Sequence, residues 1–246
     1  MKNNYPRVSI VTVNFNGKKY LKKLFDSLSK LRYPKNKVEI IFVDNCSTDG
    51  SAGFVKASYP KARIVQNDVN NYSKAINLGI RAAKKAEYIA LVNNDTKVDR
   101  DWLKELVKVI SKDKNVGAVG SKILDMRGKI QNASHYELPN FYWGERGAGQ
   151  KPNSYTAVEE VSSLCGAAVL YRKSAFSEIG LFDEDFVIYG EDVDMAFRLR
   201  QKGYKLMFAP NSIIYHKFHG TASEEFARDY IERNRHLVSS YTSMWA

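Results

Sequence analysis

The chain has 246 residues, 44% of them hydrophobic and 26% charged, and its 38 Lys and Arg residues outnumber its 27 Asp and Glu residues to give a net charge of +11. This basic excess favours anionic partners such as phosphorylated small molecules or an anionic membrane surface, although general solubility explains it equally well. The basic residues are spread along the chain without zinc-finger spacing or an aromatic RNA-binding signature, which disfavours a nucleic-acid-binding protein.

Cysteine usage and the lack of long apolar runs favour a cytoplasmic protein. Cys46 and Cys165 are far apart in sequence, which gives no disulfide framework and indicates a reducing compartment. No run approaches the roughly 18 apolar residues of a membrane span. Residues 1–7 are polar, unlike a signal peptide. We therefore expect a cytoplasmic location and no transmembrane helix.

The first half of the chain alternates between strand and helix patterns. Short β-branched runs predict strands at residues 8–13, 38–43, 63–66, 88–92 and 116–119. Helical periodicity predicts helices at residues 18–31, 50–59, 73–85 and 100–112. This alternation predicts an α/β fold in which helices cover both faces of a parallel sheet. Ligands of such sheets bind beyond the carboxyl ends of the strands.

Residues 125–160 show no clear period. They contain several glycine and proline residues and a group of aromatic ones, Tyr136, Phe141, Tyr142 and Trp143. Loops of this length inside a compact domain are usually functional or disordered. Two alternatives remain open, an ordered insertion that covers the substrate and a mobile surface flap.

Regular patterns resume after this segment. They predict a strand at residues 167–171, a helix capped by Ser174, a helix at residues 191–202 that ends at Gly203, and strands at residues 205–209 and 212–216. Thr221 and Glu224 form a capping-box pattern that opens a last helix reaching about residue 240.

Polar clusters follow three of the predicted parallel strands, at residues 14–17, 44–50 and 93–96. Each cluster alone fits a turn or a helix cap, because Asn and Asp favour turns. Their joint position at strand ends predicts one shared crevice. Asp95 closes an apolar strand there, and a carboxylate oxygen is a suitable ligand for Mg²⁺ or Mn²⁺.

A second acidic group lies at the start of the predicted helix 191–202. Glu191 and Asp192 could simply complement the helix dipole, but helical spacing turns Asp192 to the inner face, where a general base would lie. Asp194 is spaced to pair with Arg198 along the helix. His216 ends a strand and is either a structural histidine or a metal ligand near Asp95.

Four segments taken in order resemble the family-2 glycosyltransferases, specifically their rhamnosyltransferase-like branch. They are VSIVTVNFNG from Val8, VDNCSTDGS from Val43, LVNNDT from Leu91 and GLFDEDFVIYGEDVDMAFRLRQKGY from Gly180. The resemblance covers nearly the whole chain. It implies a GT-A fold, with a Rossmann-like nucleotide-binding half at residues 1–124 on a mixed, mostly parallel sheet and an acceptor-binding, catalytic half at residues 125–246.

The resemblance also implies an activity. A sugar passes from a nucleoside diphosphate donor, UDP or dTDP, to a hydroxyl of a growing glycan or lipid-linked saccharide, with inversion at the anomeric carbon. Asp192 would take the proton from the acceptor, with Glu191 beside it. Asp95 and His216 would hold a divalent metal, Mn²⁺ or Mg²⁺. The residues implied to hold the donor are Val13, Asn14, Phe15, Asp44, Asn67, Lys74, Asn93 and Asn94.

The chain departs from the family pattern at three positions. Asn93 replaces the first acidic residue of the metal motif, which removes one charge. Asn71 stands where relatives commonly have glycine, and asparagine tolerates the positive φ expected at such a turn. Ile76 stands where relatives often have Arg or Asn, and Lys74 could supply the missing phosphate contact.

Two other functions compete with this interpretation. A nucleotidyltransferase would have a glycine-rich, basic loop after the first strand, whereas residues 14–19 contain a single glycine. A silent nucleotide-sugar-binding scaffold is favoured only by Asn93. The last predicted helix carries Arg228, Arg233 and Arg235, so it either packs on the domain or attaches peripherally to an anionic membrane.

Overall fold

The computed structural model describes residues 5–217 and 224–243. Within these ranges the strands are β1 Val8–Asn14, β2 Val38–Asn45, β3 Arg63–Asn67, β4 Tyr88–Val92, β5 Thr96–Val98, β6 Val116–Leu124, β7 Ile130–Asn132, β8 His135–Glu137, β9 Trp143–Glu145, β10 Glu159–Glu160, β11 Ala168–Arg172 and β12 Lys205–His216. The α-helices are α1 Lys18–Ser29, α2 Ser51–Ser58, α3 Tyr72–Ala82, α4 Trp102–Ile110, α5 Phe176–Ile179, α6 Glu191–Gln201 and α7 Glu224–Ser243.

A mixed sheet forms the centre of the fold, with its main strands in the order β10-β12-β6-β11-β4-β1-β2-β3. Strand β1 pairs in parallel with β2 and β4, and β2 pairs in parallel with β3. Strand β11 lies antiparallel between β4 and β6. The amino end of β11 therefore lies at the same sheet edge as the carboxyl ends of β1, β2 and β4. The prediction of a mixed, mostly parallel sheet is confirmed.

Helices cover both faces of the sheet, as the alternating pattern predicts. One apolar cluster joins the sheet to α1 and α4 through residues such as Leu24, Trp102 and Leu106. Another joins it to α3 and α6 through residues such as Ile76 and Met195. Burial of these apolar side chains is the main favourable contribution to the fold.

Two predicted details are wrong. Strand β12 is one strand rather than two, because the pairing with β6 continues past an irregularity between Ala209 and Ile213. Pro210, which has no N–H to donate, falls inside that irregularity. Ser174 does not cap a helix, since Lys173–Ala175 is a 3₁₀ turn and α5 begins without a side-chain cap.

Residues 125–160 form a small insertion that carries β7 to β10. Strands β8 and β9 pair as a separate two-stranded sheet. The buried Lys122 ammonium holds the insertion against β6 by donating to the carbonyls of Pro152 and Ser154, at 2.8 Å each. Arg146 adds a 2.8 Å ion pair with Glu159. These contacts support the ordered alternative over the flap.

Helix α7 packs on the domain through Ala227, Asn234 and Val238, which are buried. Thr221 of the predicted capping box lies outside the described residues. In residues 5–217 and 224–243, no helix combines the length and apolar character that crossing a bilayer requires.

Candidate active site

A cavity of about 720 Å³ opens at the carboxyl ends of β1, β2 and β4, where the strand-end clusters were expected to meet. Its floor includes Val13 and Phe15 at the end of β1 and the segment from Asn93 to Asp95 after β4. The β8–β9 hairpin and α7 form the opposite walls. The predicted convergence of these clusters on one crevice is therefore confirmed by the geometry.

The loops after β1 and β4 are tied together by side-chain amides. Asn94 Nδ2 donates to Asn14 Oδ1 at 2.7 Å, and Asn14 Nδ2 donates to Ser47 Oγ at 3.2 Å. A Cβ atom on Gly17 would lie 2.2 Å from Asn94 Nδ2, so only glycine permits this close approach. Asn14 is buried in this network and does not line the cavity, whereas Asn94 does.

Two buried polar groups near the ends of β2 and β3 lack hydrogen-bond partners within the described residues. They are Oδ1 of Asp44 and Oδ1 of Asn67. The amide nitrogen of Asn67 donates to Asn45 Oδ1 at 2.7 Å and to the Val69 carbonyl at 2.7 Å. Neither Asp44 nor Asn67 borders the large cavity. An unpaired buried acceptor costs about 1–3 kcal/mol, so both oxygens are candidates to receive a ligand's hydrogen bond.

The segment after β3 was expected to contain a left-handed turn at Asn71 and a phosphate contact at Lys74. The φ of Asn71 is −135°, because Asn71 is the N-cap of α3 and its side chain accepts a hydrogen bond from Lys74 N. The expected left-handed turn at this position is therefore wrong. The Lys74 ammonium lies 2.7 Å from Asp68 Oδ1 and outside the cavity lining, so its phosphate contact stays a prediction.

Asp95 and His216 lie side by side in the cavity wall. His216 Nε2 is 3.1 Å from Asp95 Oδ1, and both side chains are 9% exposed. The other ring nitrogen of His216 is 3.2 Å from Gln131 Oε1, a contact that orients the ring. Nearby, the Tyr72 hydroxyl donates to Asn93 Oδ1 at 2.8 Å. Burial raises the pKa of Tyr72 well above its ordinary value, which keeps this hydroxyl a donor.

The two acidic residues at the start of α6 face different surroundings. Asp192 lines the cavity, while Glu191 is buried behind it and its Oε2 has no hydrogen-bond partner in the described part of the chain. Burial, followed by the charge of Asp192, raises the pKa of Glu191 to about 8. Of the two predicted catalytic residues, only Asp192 can therefore touch a substrate in the cavity.

Backbone donors hold the Asp192 carboxylate. Its Oδ2 accepts from Gly166 N at 2.8 Å, and its Oδ1 accepts from Val193 N at 2.9 Å. Each oxygen retains a second lone pair for a substrate proton. The predicted pair of Asp194 and Arg198 is confirmed, with N–O distances of 2.5 and 2.9 Å.

The loop before Asp192 has an unusual backbone, with positive φ at Val187 (60°), Tyr189 (66°) and Gly190 (85°). Such conformations are costly for side-chain-bearing residues and need external support. Asn234 of α7 supplies it, since its amide nitrogen donates to the carbonyls of Phe186, Ile188 and Tyr189 at 2.5–2.8 Å.

Sequence reasoning missed several residues of this cavity. They include His135, Trp143, Glu145, Cys165, Tyr189 and Asn234. Trp143 lies in the aromatic-rich segment of residues 125–160, and that composition was the available sequence signal for a residue that contacts substrate. His135, Glu145 and Cys165 carry no local pattern, and nothing in the sequence links Asn234 to a loop 45 residues earlier.

A protein-family model matches most of this chain. Residues 9–180 match the family model described as Glycosyl transferase family 2. An N-acetylglucosaminyl-diphospho-decaprenol L-rhamnosyltransferase of Mycobacterium tuberculosis is 27% identical over 241 residues, covering 87% of this chain and 78% of that protein.

Two solved structures share the fold. The crystal structure of GalNAc-T7 with UDP, GalNAc and Mn²⁺ superposes with a TM-score of 0.74 at 21% identity, covering 94% of this chain. The matched region spans 48% of the GalNAc-T7 chain. A mannosyltransferase from Pyrobaculum calidifontis in complex with GDP-Man and Mn²⁺ gives a TM-score of 0.69 at 19% identity, covering 98% of this chain and 65% of the other.

Proposed function

Because the chain belongs to glycosyl transferase family 2 and has the GT-A fold, we propose that it transfers a sugar, with inversion, from a UDP or dTDP sugar to a hydroxyl of a glycan or lipid-linked acceptor. It is a glycosyltransferase that uses a nucleotide sugar; the donor, the acceptor and the residue roles are the proposal. The observation that carries it is one cavity that holds both the Asp95–His216 pair and the Asp192 carboxylate.

The nucleotide would bind at the end of β1 and β2. Oδ1 of buried Asp44, which has no hydrogen-bond partner among the described residues, would accept a hydrogen bond from the ring N–H that uracil and thymine both present and cytosine lacks. Phe15 and Val13 offer apolar contacts to the base, and Asn93 and Asn94 in the cavity lining would offer amide groups to the ribose and phosphates. Asn14 and Asn67 lie behind this lining and would support it through their hydrogen bonds with Asn94 and Asn45. This chemistry fits UDP and dTDP equally well.

The residues around Asp95 fit a divalent metal, Mn²⁺ or Mg²⁺. Asp95 supplies a carboxylate and His216 an imidazole, with a nitrogen–oxygen separation of 3.1 Å that suits two ligands of one ion. Substrate phosphates and waters would complete the shell, as is usual for such ions. The two solved neighbours named above are complexes with Mn²⁺, which supports this choice. When bound, the ion would neutralise charge on the departing diphosphate.

Asp192 is proposed to act as the general base. Its carboxylate borders the cavity, and the hydrogen bonds from Gly166 and Val193 fix its orientation before the acceptor arrives. One lone pair then removes the proton from the attacking hydroxyl as that oxygen bonds to the anomeric carbon. A single displacement of this kind inverts the anomeric centre. Glu191, buried behind Asp192, would not contact the acceptor.

The acceptor would lie between the β8–β9 hairpin and α7. Tyr142 and Trp143 on one side and Phe226 and Tyr230 on the other give this part of the cavity aromatic walls, which suit the apolar faces of sugar rings. The name of the mycobacterial relative describes a lipid-linked acceptor, which supports that class here. The chain would thus divide into a donor half, residues 1–124, and an acceptor half, residues 125–246.

Peripheral membrane attachment is a further part of the proposal. Phe226 and Ile231 on α7 are exposed large apolar side chains, and Arg228 and Arg233 on the same helix are exposed. This combination would suit an anionic lipid surface near a lipid-linked acceptor. Flotation with anionic liposomes should recover the protein, and recovery equal to that with neutral liposomes would contradict it.

A thermal-shift panel tests the donor and the metal together. UDP, dTDP, GDP and CDP are each added with and without Mn²⁺, because a ligand that binds only the native state raises the melting temperature. We expect a metal-dependent shift with UDP or dTDP that is lost in Asp95→Ala. Asp26→Ala, which alters a carboxylate on helix α1, is the matched control. If none of the four nucleotides raised the melting temperature, that result would count against the proposal.

A silent scaffold is the second candidate, favoured by Asn93 in place of an acidic residue. Asp192→Asn separates the two functions. An enzyme should lose donor hydrolysis and transfer by about 10²- to 10⁴-fold while keeping its nucleotide-dependent thermal shift. Wild-type protein that binds nucleotide but shows no turnover above the Asp192→Asn level would favour the scaffold.

A further inference from the structure

Three side chains with different donor atoms meet in the wall of the cavity, and none of them belongs to the Asp95–His216 pair. His135 begins β8, Cys165 precedes β11, and Asp192 lies in the first turn of α6. One ligand atom from each, a ring nitrogen, the Sγ and a carboxylate oxygen, lies within 4.8 Å of the other two. Three segments far apart in sequence thus bring a nitrogen, a sulfur and an oxygen together.

The donor atoms of this trio have capacity for a ligand. Nδ1 of His135 is buried and has no hydrogen-bond partner in the part of the chain that the structure describes. Cys165 is a free cysteine. Each oxygen of Asp192 accepts one backbone N–H and keeps another lone pair. A buried unpaired nitrogen is unfavourable, so an ion coordinated by Nδ1 of His135 would offset a cost that the fold otherwise carries.

The chemistry of the donors selects the ion. A thiolate and an imidazole are preferred by Zn²⁺, whereas carboxylate and phosphate oxygens suit Mg²⁺ and Mn²⁺. Zinc bonds of about 2.0–2.3 Å place tetrahedral ligand atoms roughly 3.3–3.8 Å apart. The three ligand atoms lie within 4.8 Å of one another, so side-chain rotations that move them by about 1 Å would bring them to zinc-binding distance. The cavity side supplies an open fourth position, as His135, Cys165 and Asp192 all line it.

We propose that His135, Cys165 and Asp192 form a Zn²⁺ site, and that zinc bound there inhibits sugar transfer by occupying the carboxylate that would deprotonate the acceptor. Coordination exchanges the thiol proton of Cys165, which passes to solvent, for a sulfur–zinc bond. The proposed inhibition of sugar transfer rests on the proposed role of Asp192 as base, whereas the proposed binding of zinc does not depend on that role.

Binding is tested with metal-free protein in the presence of excess Mg²⁺, so that the oxygen-rich site is occupied. Zn²⁺ affinity is measured by competition with a chromophoric chelator, and Co²⁺ replaces Zn²⁺ to report a sulfur-to-cobalt charge-transfer absorption. We expect Cys165→Ser to abolish that absorption and weaken Zn²⁺ binding by at least about tenfold. His135→Gln should weaken it similarly, and melting temperatures establish that both variants fold.

Cys46→Ser is the matched control, because Cys46 is also a free cysteine but is exposed and outside the cavity lining. It should retain both the absorption and the affinity of the wild type. Equal Zn²⁺ affinity in the wild type and the folded Cys165→Ser and His135→Gln variants would overturn the site, as would loss of the absorption in Cys46→Ser alone.

Inhibition is measured as donor hydrolysis in zinc-buffered solutions, with each variant compared to its own zinc-free rate. Wild type and Cys46→Ser should be inhibited at zinc concentrations that leave Cys165→Ser active. Zinc that binds through Cys165 without slowing hydrolysis would keep the metal site and overturn its inhibitory role. Equal inhibition of wild type and Cys165→Ser would assign the effect to displacement of the ion at Asp95 and overturn the inhibition proposed here.

Discussion

Asp192 Oδ2 and the backbone nitrogen of Gly166 are 2.8 Å apart, and this close approach leaves little room for a side chain at residue 166. A Cβ atom on Gly166 would lie 3.2 Å from Asp192 Oδ2 and 3.3 Å from Asp192 Cβ. The glycine therefore both donates to the proposed base and permits its position. Gly166 acts through Asp192, which makes it a positioning residue.

Gly166→Ala should lower the rate of donor hydrolysis by about tenfold or more, because a small displacement of a catalytic group is costly for the reaction. The nucleotide-dependent thermal shift should persist, since the residues proposed to hold the base lie at the ends of β1 and β2. Gly53→Ala is the control, as a Cβ there meets nothing within 4 Å. Within helix α2 it should raise stability by about 0.5–1 kcal/mol. An unchanged hydrolysis rate in Gly166→Ala would contradict the positioning role.

Asn93→Asp should tighten Mn²⁺-dependent UDP binding by roughly tenfold, because ligand charge tunes the affinity of oxygen-rich sites. The added carboxylate would remain beside the Tyr72 hydroxyl, which is 2.8 Å from the present Asn93 oxygen. Isothermal titration with UDP at fixed Mn²⁺ measures the effect. Asn94→Asp offers a comparison, since Asn94 donates to Asn14 and should lose that bond. Weaker binding in Asn93→Asp would show that the missing charge does not limit metal affinity.

Asn234→Ala should destabilise the loop before Asp192, because three buried or partly buried carbonyls lose their shared donor. We expect the free energy of unfolding to fall by about 1–3 kcal/mol, and kcat to fall more than UDP affinity. Urea unfolding and donor hydrolysis measure the two effects. Arg228→Ala, on the exposed side of the same helix, should change stability by no more than about 0.5 kcal/mol. Equal effects of the two substitutions would argue against support of this loop by Asn234.

Glu191→Gln should remove part of the pH dependence of stability. Burial raises the pKa of Glu191 from 4.5 to about 8 in the folded protein, so the native state binds this proton more tightly than the unfolded chain does. The stabilisation is fully present below pH 4.5 and is lost as the pH rises through about 8.

Urea unfolding of the metal-free protein at pH 5 and pH 9 should therefore show a smaller loss of stability in Glu191→Gln than in the wild type, by on the order of 3 kcal/mol. Glu137→Gln, an exposed substitution, serves as the control and should follow the wild type. Parallel pH profiles for Glu191→Gln and wild type would contradict the raised pKa.

The sequence alone determined the alternating elements and the edge of the sheet at which the site lies. Strands such as β2 and β4 contain nearly continuous apolar runs, a local signal that tertiary context did not override. The polar clusters at Asn14, Asp44 and Asn93 follow those strands directly, and the parallel direction of the strands makes them converge. Helical spacing likewise turned Asp192, rather than Glu191, toward the cavity.

Only the tertiary structure decided which distant groups meet those residues. His135, Cys165 and Asp192 approach one another because β11 runs antiparallel between β4 and β6, a pairing that no local pattern encodes. Asn71 looks like a left-handed turn residue in sequence, yet the start of α3 needs a cap and holds it in an extended conformation. Asn234 supports a strained loop only because α7 packs across it. Local preferences set the elements, whereas contacts between segments far apart in the chain set the chemistry of the site.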